Sequence, residues 1–207
     1  MINYNVLNDF KKFFLISNIQ IKTNFTKIDK KILTQINYLF DKNIFFIKKN
    51  YVLENLTDLN FLENIEIKKN YPSTILIKAT KTNIIGMTYL NQKKYYVGLN
   101  GRFIYSENLS VEKKVPLIFG IFQISEYIEL LSILKKQNIN AESISKFYFH
   151  KNKRWDLYFV NNIVIQLPNK NISKAINLYK EFEINNQIAP NTIIDLRIRN
   201  RLILRNE

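Results

Sequence analysis

The sequence predicts an α+β protein, with a β-α-α-β-β module followed by a mostly antiparallel β-sheet domain with packed helices. Two observations predict this class. Many short segments alternate apolar and polar residues, as half-buried strands do. Four longer segments repeat apolar residues every three or four positions, as amphipathic helices do. Because 46% of the 207 residues are hydrophobic, the chain has enough apolar material for a real core.

The first module begins with an alternating strand at residues 15–22. A helix follows, with Thr26 as N-cap and Asp29 in the capping-box position. A short apolar piece at 44–47 leads into a second helix at 49–59. Strands around residues 65–67 and at Thr74–Lys81 complete the module. We expect Ile28, Ile32 and Ile36 of the first helix to be buried against strand residues Ile19, Ile21, Ile65, Ile67, Ile75 and Ile77.

The remainder of the chain is richer in strands. The turn Asn100-Gly101 tolerates positive φ and predicts a hairpin, and Asn161-Asn162 and Asn200 predict two more turns. Helices are predicted at residues 125–136 and 172–182. The predicted strands cover residues 84–90, 94–99, 102–104, 143–149, 154–160, 163–167, 192–198 and 201–205. With a boundary near residues 82–84, the predicted domains are 14–82 and 83–207.

The composition argues against several classes of function. The net charge is +14, but the lysines are scattered through almost every segment, as in chains biased by AT-rich coding. Nucleic-acid binding favours clustered cations, so we expect no nucleic-acid partner. With no cysteine and one histidine, we expect no metal or cofactor site. His150 lies in a polar turn, where a solvated side chain is expected rather than a general base, so we expect no enzymatic activity.

The final strand is a candidate binding element. Residues 201–205 read RLILR, which places three apolar side chains between Arg201 and Arg205. An exposed sheet edge can accept a strand from a partner, whereas charged edge residues can also prevent such pairing. The sequence pattern by itself leaves both interpretations open.

The single tryptophan also has two interpretations, as a partner contact or as part of the core. Trp155 alternates with Leu157 and Phe159 on a predicted strand. A lone tryptophan in such a pattern favours a core position.

Several motifs, in order, resemble the FtsQ/DivIB family of cell division proteins. They cover most of the chain from about residue 14. They are NIFFI at 43–47, FLENIEIKKNYPSTILIKA at 61–79, YYVGLNGRFI at 95–104, VPLIFG at 115–120, RWDL at 154–157 and IDLR at 194–197. The chain departs from the family pattern in having TKTN at 80–83 for Glu-Arg-x-Pro, Asn162 for a turn glycine and Ile198 for an aromatic residue.

The resemblance implies a POTRA domain at 14–82 and an FtsQ-type C-terminal β domain at 83–207. It implies a non-enzymatic divisome scaffold that links early and late division proteins. The β domain would bind the FtsB–FtsL pair by pairing its last strand with a strand of FtsB, and the POTRA domain would contact other divisome proteins. A membrane helix is expected upstream of Met1, with this chain on the periplasmic side of the inner membrane as part of a single-pass protein.

The resemblance also assigns partner-binding residues. Arg197 of IDLR would hold an acidic partner residue, and a charge-assisted bond of this kind would contribute about 1.5–3 kcal/mol to binding. The competing interpretation is that Arg197 lies on a solvated face and contributes almost nothing. Lys153 and Arg154 would reach the same ligand. The full implied set is Lys153, Arg154, Arg197, Ile198, Arg201, Leu202, Ile203, Leu204 and Arg205. The alternative is a POTRA-type module of outer-membrane protein assembly or two-partner secretion, against which the second domain argues.

Overall fold

A computed structural model describes residues 12–24, 29–109, 111 and 113–206. The chain divides into two compact units, Met1–Asn83 and Ile84–Glu207. Both units combine helices with a sheet, which confirms the predicted α+β class. Among the helices in these ranges, none is long and apolar enough to cross a membrane.

The first unit has the predicted β-α-α-β-β order. Its elements are β1 (Asn18–Thr23), α1 (Asp29–Ile36), α2 (Lys49–Asn55), β2 (Leu62–Asn70) and β3 (Thr74–Lys81). The sheet order is β1-β3-β2, with β1 parallel and β2 antiparallel to the central β3. The second helix ends at Asn55 rather than at residue 59. Turns with hydrogen bonds across three residues, rather than the four of an α-helix, follow it. In them the N–H groups of Leu56 and Thr57 donate to the carbonyls of Leu53 and Glu54.

The core of the first unit largely follows the predicted faces. Ile32 and Ile36 of α1 are fully buried, as are the central-strand residues Ile75 and Ile77. Ile67 is buried, while Ile19, Ile21 and Ile65 are only half-buried. The predicted cap Thr26 and Ile28 lie outside the described residues.

Replacing Ile32 with alanine should destabilise the first unit by about 2–5 kcal/mol, because the truncation leaves a cavity in a fully buried site. Hydrogen exchange of peptides from β1–β3 measures this loss. Leu33→Ala on the same helix is the matched control, since Leu33 is 36% exposed and should cost far less. Equal losses for the two variants would contradict the assigned helix face.

The second unit is built on one nine-stranded sheet with two helices. The helices are α3 (Ile124–Lys136) and α4 (Ile172–Asn185). The strands are β4 (Ile84–Leu90), β5 (Lys93–Gly98), β6 (Phe103–Tyr105), β7 (Leu117–Phe119), β8 (Ile144–Phe149), β9 (Trp155–Phe159), β10 (Val164–Gln166), β11 (Thr192–Asp195) and β12 (Ile203–Asn206). Their order in the sheet is β12-β11-β10-β9-β8-β7-β4-β5-β6.

The sheet is mostly antiparallel, as predicted, but it contains three parallel pairings. Two of them involve β7, which the sequence did not predict as a strand. β7 lies between β4 and β8, and it joins the first meander of this unit to the later strands. The third parallel pairing joins β10 to β11, with α4 as the crossover between them.

Helices α3 and α4 contribute to one core with the inner face of the sheet. Trp155 is 2% exposed, which confirms its core assignment. Tyr127 of α3 is fully buried and lies within 5.8 Å of the Trp155 ring, centroid to centroid. Its hydroxyl donates to the carbonyl of Ile85 at 2.9 Å, and burial raises the pKa of this phenol.

The predicted turns adopt the conformations that their residues favour. Gly101, Asn162 and Asn200 all have positive φ, at 77°, 64° and 56°. Asparagine reaches this region more readily than most residues, so these positions can close tight connections without glycine at each.

Candidate partner-binding edge

β12 forms one edge of the nine-stranded sheet, where it pairs with β11. Its bounds, Ile203–Asn206, lie further along the chain than the predicted strand at 201–205. β11 is also shorter than predicted, because it ends at Asp195 rather than at residue 198. The Asp195 carboxylate accepts the backbone N–H of Arg197 at 3.1 Å and so turns the chain out of the ladder.

The ladder register shows which backbone groups of β12 face the open edge. The N–H of Leu196 donates to the carbonyl of Gln166 at 2.9 Å, so even-numbered residues of β11 face β10. Backbone groups alternate sides along a strand. Asp195 therefore faces β12, where it pairs with Ile203. Leu204, opposite Ile194, points its N–H and carbonyl away from β11.

The side chains near this edge differ in exposure. Ile203 is 39% exposed and Leu204 is 46% exposed, so both present apolar surface at the edge. Leu202 lies before β12 and is half-buried against the core of the second unit, which makes it a packing residue. Arg201 and Ile198 are exposed in the connection between the strands.

Asp195 is the centre of the charged cluster at this edge, although its side chain is buried. The Arg197 guanidinium donates from Nε to Oδ1 at 2.7 Å and from Nη2 to Oδ2. Arg205 donates from Nη2 to the same Oδ2 at 2.7 Å and to Gln166 at 3.0 Å. Arg197 and Arg205 were both predicted to contact a partner, and both donate to Asp195 of the same chain.

These contacts lower the pKa of Asp195. The largest cause is the side-chain hydrogen bond from Arg197, with further lowering from the Arg197 backbone N–H and from the charges of Arg197 and Arg205. Because the pKa in the folded chain lies below the ordinary value of 3.8, ionised Asp195 stabilises the hairpin above that value. The stabilisation is lost as the pH falls through the lowered pKa.

Asp195→Asn should therefore lower the melting temperature at neutral pH, and the gap to the parent chain should narrow as the pH falls below about 4. Thermal unfolding of both chains over this pH range measures the gap. Since other carboxylates titrate in both chains, the difference isolates Asp195. A gap that is constant with pH would show that its charge does not stabilise the fold.

A second buried carboxylate lies in the β8–β9 hairpin. Asp156 is 3% exposed, and its Oδ2 lies 2.8 Å from Nε2 of His150. The expectation of a solvated His150 was therefore wrong, because the hairpin folds this half-buried ring back onto Asp156. Arg154 is half-buried with Nε 3.8 Å from Oδ1 of Asp156, and the adjacent Lys153 is exposed.

The strand register relates the two carboxylates. Asp156 lies opposite Gln166, which lies opposite Asp195, so all three share one face of the sheet. Asp156 also adds an electrostatic attraction that raises the pKa of Arg197, after the larger effect of Asp195. The structure thus brings the predicted cations Arg154 and Arg197 to the same face.

The sequence motifs indicated the arginines of this face, whereas Asp156, Gln166 and Asp195 were not predicted to belong to it. The signal was present, since RWDL and IDLR each place an aspartate close to an arginine. In the part of the chain that the structure describes, no three histidine, cysteine or acidic side chains are grouped to hold a metal ion.

The comparisons with known proteins agree on one family. Residues 88–197 match the model of the family "Cell division protein FtsQ/DivIB, C-terminal". The FtsQ protein of Agrobacterium fabrum is 17% identical over 200 residues, covering 91% of this chain and 60% of that protein. The FtsQ protein of Rickettsia typhi is 23% identical over 196 residues, covering 91% of this chain and 71% of that protein. The chain thus spans less than two thirds of the Agrobacterium protein's length.

A solved structure is also similar in part. It is the major extracytoplasmic domain of the cell division protein DivIB from Geobacillus stearothermophilus. The match has 14% sequence identity and a TM-score of 0.36, and it covers 52% of this chain and 98% of that domain.

Proposed function

This chain belongs to the FtsQ/DivIB family of cell division proteins, and we propose that it acts as a non-enzymatic scaffold of the divisome. In this proposal its second unit binds the FtsB–FtsL pair through the β12 edge. The match over residues 88–197 supports this function over a role in outer-membrane protein assembly or two-partner secretion.

The open edge of β12 carries the proposal. Among the described residues β12 pairs only with β11, and Leu204 directs its N–H and carbonyl to the other side. An incoming strand would bond to these groups, and its side chains would lie against the exposed Ile203 and Leu204. Backbone bonds would supply affinity, while alternate side chains would set the register.

The cations around β12 suit an acidic partner segment. Arg197 uses Nε and Nη2 on Asp195, which orients its guanidinium and leaves Nη1 for a partner carboxylate. In this proposal Asp195 positions Arg197, and Arg201 adds an exposed charge in a groove that both arginines line. Ile198, Lys153 and Arg154 extend the proposed contact surface, while Arg205 holds the hairpin.

Arg201→Glu should weaken binding of the FtsB–FtsL pair about tenfold without changing the melting temperature, because it reverses an exposed charge at the edge. Titration calorimetry with the purified pair measures this. Arg102→Glu is the matched control, since Arg102 is also exposed but precedes β6 at the opposite edge of the sheet. Equal binding by both variants would exclude Arg201 from the contact surface.

The first unit has a separate role in the proposal. We propose that it is a POTRA domain that contacts other divisome proteins and that the chain works on the periplasmic side of the inner membrane. The β-α-α-β-β order and the β1-β3-β2 sheet support the domain type. An anchor preceding this chain would hold both units at the division septum.

A further inference from the structure

The first unit presents a group of exposed aromatic rings, which we call the aromatic patch. Phe46 is 82% exposed, and the other four rings are each more than half exposed. The patch comprises Phe13, Phe45, Phe46, Tyr51 and Tyr71. Five large rings in water on one small unit form an unusual concentration of exposed apolar surface, and such surface marks interaction sites.

The rings are connected rather than scattered. Phe14 lies between Phe13 and Phe45, with ring centroids 5.4 Å and 4.9 Å away. Phe45 stacks on Tyr71 at 5.0 Å. Phe46, the residue after Phe45, lines a shallow groove together with Tyr51. The patch therefore consists of a connected row of rings and a groove that adjoin along the chain at Phe45 and Phe46.

The local backbone holds the two central phenylalanines outward. Ile44 is fully buried and anchors the 3-10 turn Ile44–Phe46. The side chain of Asn43 accepts the N–H of Phe45 at 3.0 Å and caps this turn. The exposure of Phe45 and Phe46 thus follows from a fixed turn with a buried anchor.

Lysines surround the aromatic patch. Lys42 and Lys48 line the groove together with Phe46 and Tyr51, and the described lining of that groove includes no acidic residue. The Lys69 ammonium donates to the carbonyl of Phe45 at 3.2 Å, which places a third cation beside the rings. The acidic residues nearest in sequence to the groove are Asp41, which precedes Lys42, and Glu54, three residues after Tyr51.

We infer that the aromatic patch docks on an anionic lipid surface. Tyrosine rings settle at the boundary between headgroups and acyl chains, where both their apolar body and their hydroxyl are satisfied. Exposed phenylalanine rings bury their apolar surface at the same boundary. Each lysine near an anionic surface contributes about fivefold to binding. The lysines beside the rings match the negative charge of such a surface, and the described lining of their groove carries no opposing acidic residue. The chemistry therefore favours a membrane over a protein partner.

Flotation of the full chain with vesicles tests the inference. The chain should float with vesicles that contain phosphatidylglycerol in phosphatidylcholine. With vesicles of phosphatidylcholine alone, it should stay at the bottom of the gradient. Added salt should weaken the binding, because it screens the lysine charges. Failure to float with the anionic vesicles would overturn the inference and leave a protein as the occupant of the patch.

Matched variants separate the patch from the overall positive charge. Phe46→Ser should lower the bound fraction about tenfold, since it removes one inserted ring. Tyr89→Ser is its control, because Tyr89 is an exposed ring of the second unit. Lys42→Glu with Lys48→Glu should lower binding at least about 25-fold. Lys135→Glu with Lys136→Glu, an exposed pair of the second unit, makes the same charge change and should have a much smaller effect.

Circular dichroism of each variant checks that it is folded. If the two lysine pairs reduce binding equally, or if Phe46→Ser floats like the parent chain, the patch is not the docking surface. Either result alone would overturn the inference. Neither would bear on FtsB–FtsL binding, which is measured separately at β12 with soluble partners.

Discussion

Replacing Leu204 with proline should abolish binding of the FtsB–FtsL pair while the second unit stays folded. Proline has no N–H, and the N–H of Leu204 faces the open edge rather than β11. An added strand would lose a central hydrogen bond, and the pyrrolidine ring would block its approach. Because Ile203 already has strand conformation, it can precede a proline without strain.

Two control variants separate the backbone effect from other effects. Leu204→Ala keeps the N–H and should weaken binding only partly, through lost side-chain contact. Ile203→Pro removes an N–H that faces β11, so it should lower the melting temperature of the second unit. Binding is measured by titration calorimetry and folding by thermal unfolding. A folded Leu204→Pro chain that binds like the parent would show that β12 is not the site.

Gly120→Ala should destabilise the second unit by about 4 kcal/mol, because the cost combines strain at φ with overpacking against a fixed neighbour. Gly120 follows β7 with φ of 97°, a region that side chains rarely adopt. A Cβ there would lie 2.0 Å from the carbonyl oxygen of Phe149, so the backbone of β8 would have to move. Urea unfolding followed by circular dichroism measures the loss.

Gly101→Ala is the matched control for this prediction. Gly101 also has positive φ, at 77°, but a Cβ added there would meet no atom within 4 Å. We therefore expect a cost of about 1 kcal/mol, from backbone strain alone. Equal losses for the two variants would show that the close approach to Phe149 is unimportant.

Much of the fold was predictable because its signals are local. The helix face of Ile32 follows from residues three and four positions apart, and Asn162 closes its hairpin by its own conformational preference. β7 was missed because its three residues lie between Pro116 and Gly120, which indicate a loop. They become a strand through pairing with β4 and β8, which are distant in sequence.

The candidate site was less predictable because it, like β7, depends on contacts between residues that are distant in sequence. The arginines near the last hairpin were identified, but their partners depend on strand register. Arg205 lies ten residues after Asp195 and meets it only because β11 and β12 pair in one register. The exposure of Phe46 was not predicted either, because it follows from the capped 3-10 turn into which the apolar piece at 44–47 folds.

The position of Trp155 has a spectroscopic consequence. It is the only tryptophan in the chain, and four aromatic rings lie within 6.3 Å of it, centroid to centroid. Its fluorescence should be emitted at short wavelength in the folded chain and shift to the red when the second unit opens. The first unit has tyrosines but no tryptophan, so its unfolding produces no direct change in this signal. Tryptophan emission therefore reports directly on the unfolding of the second unit, which carries β12.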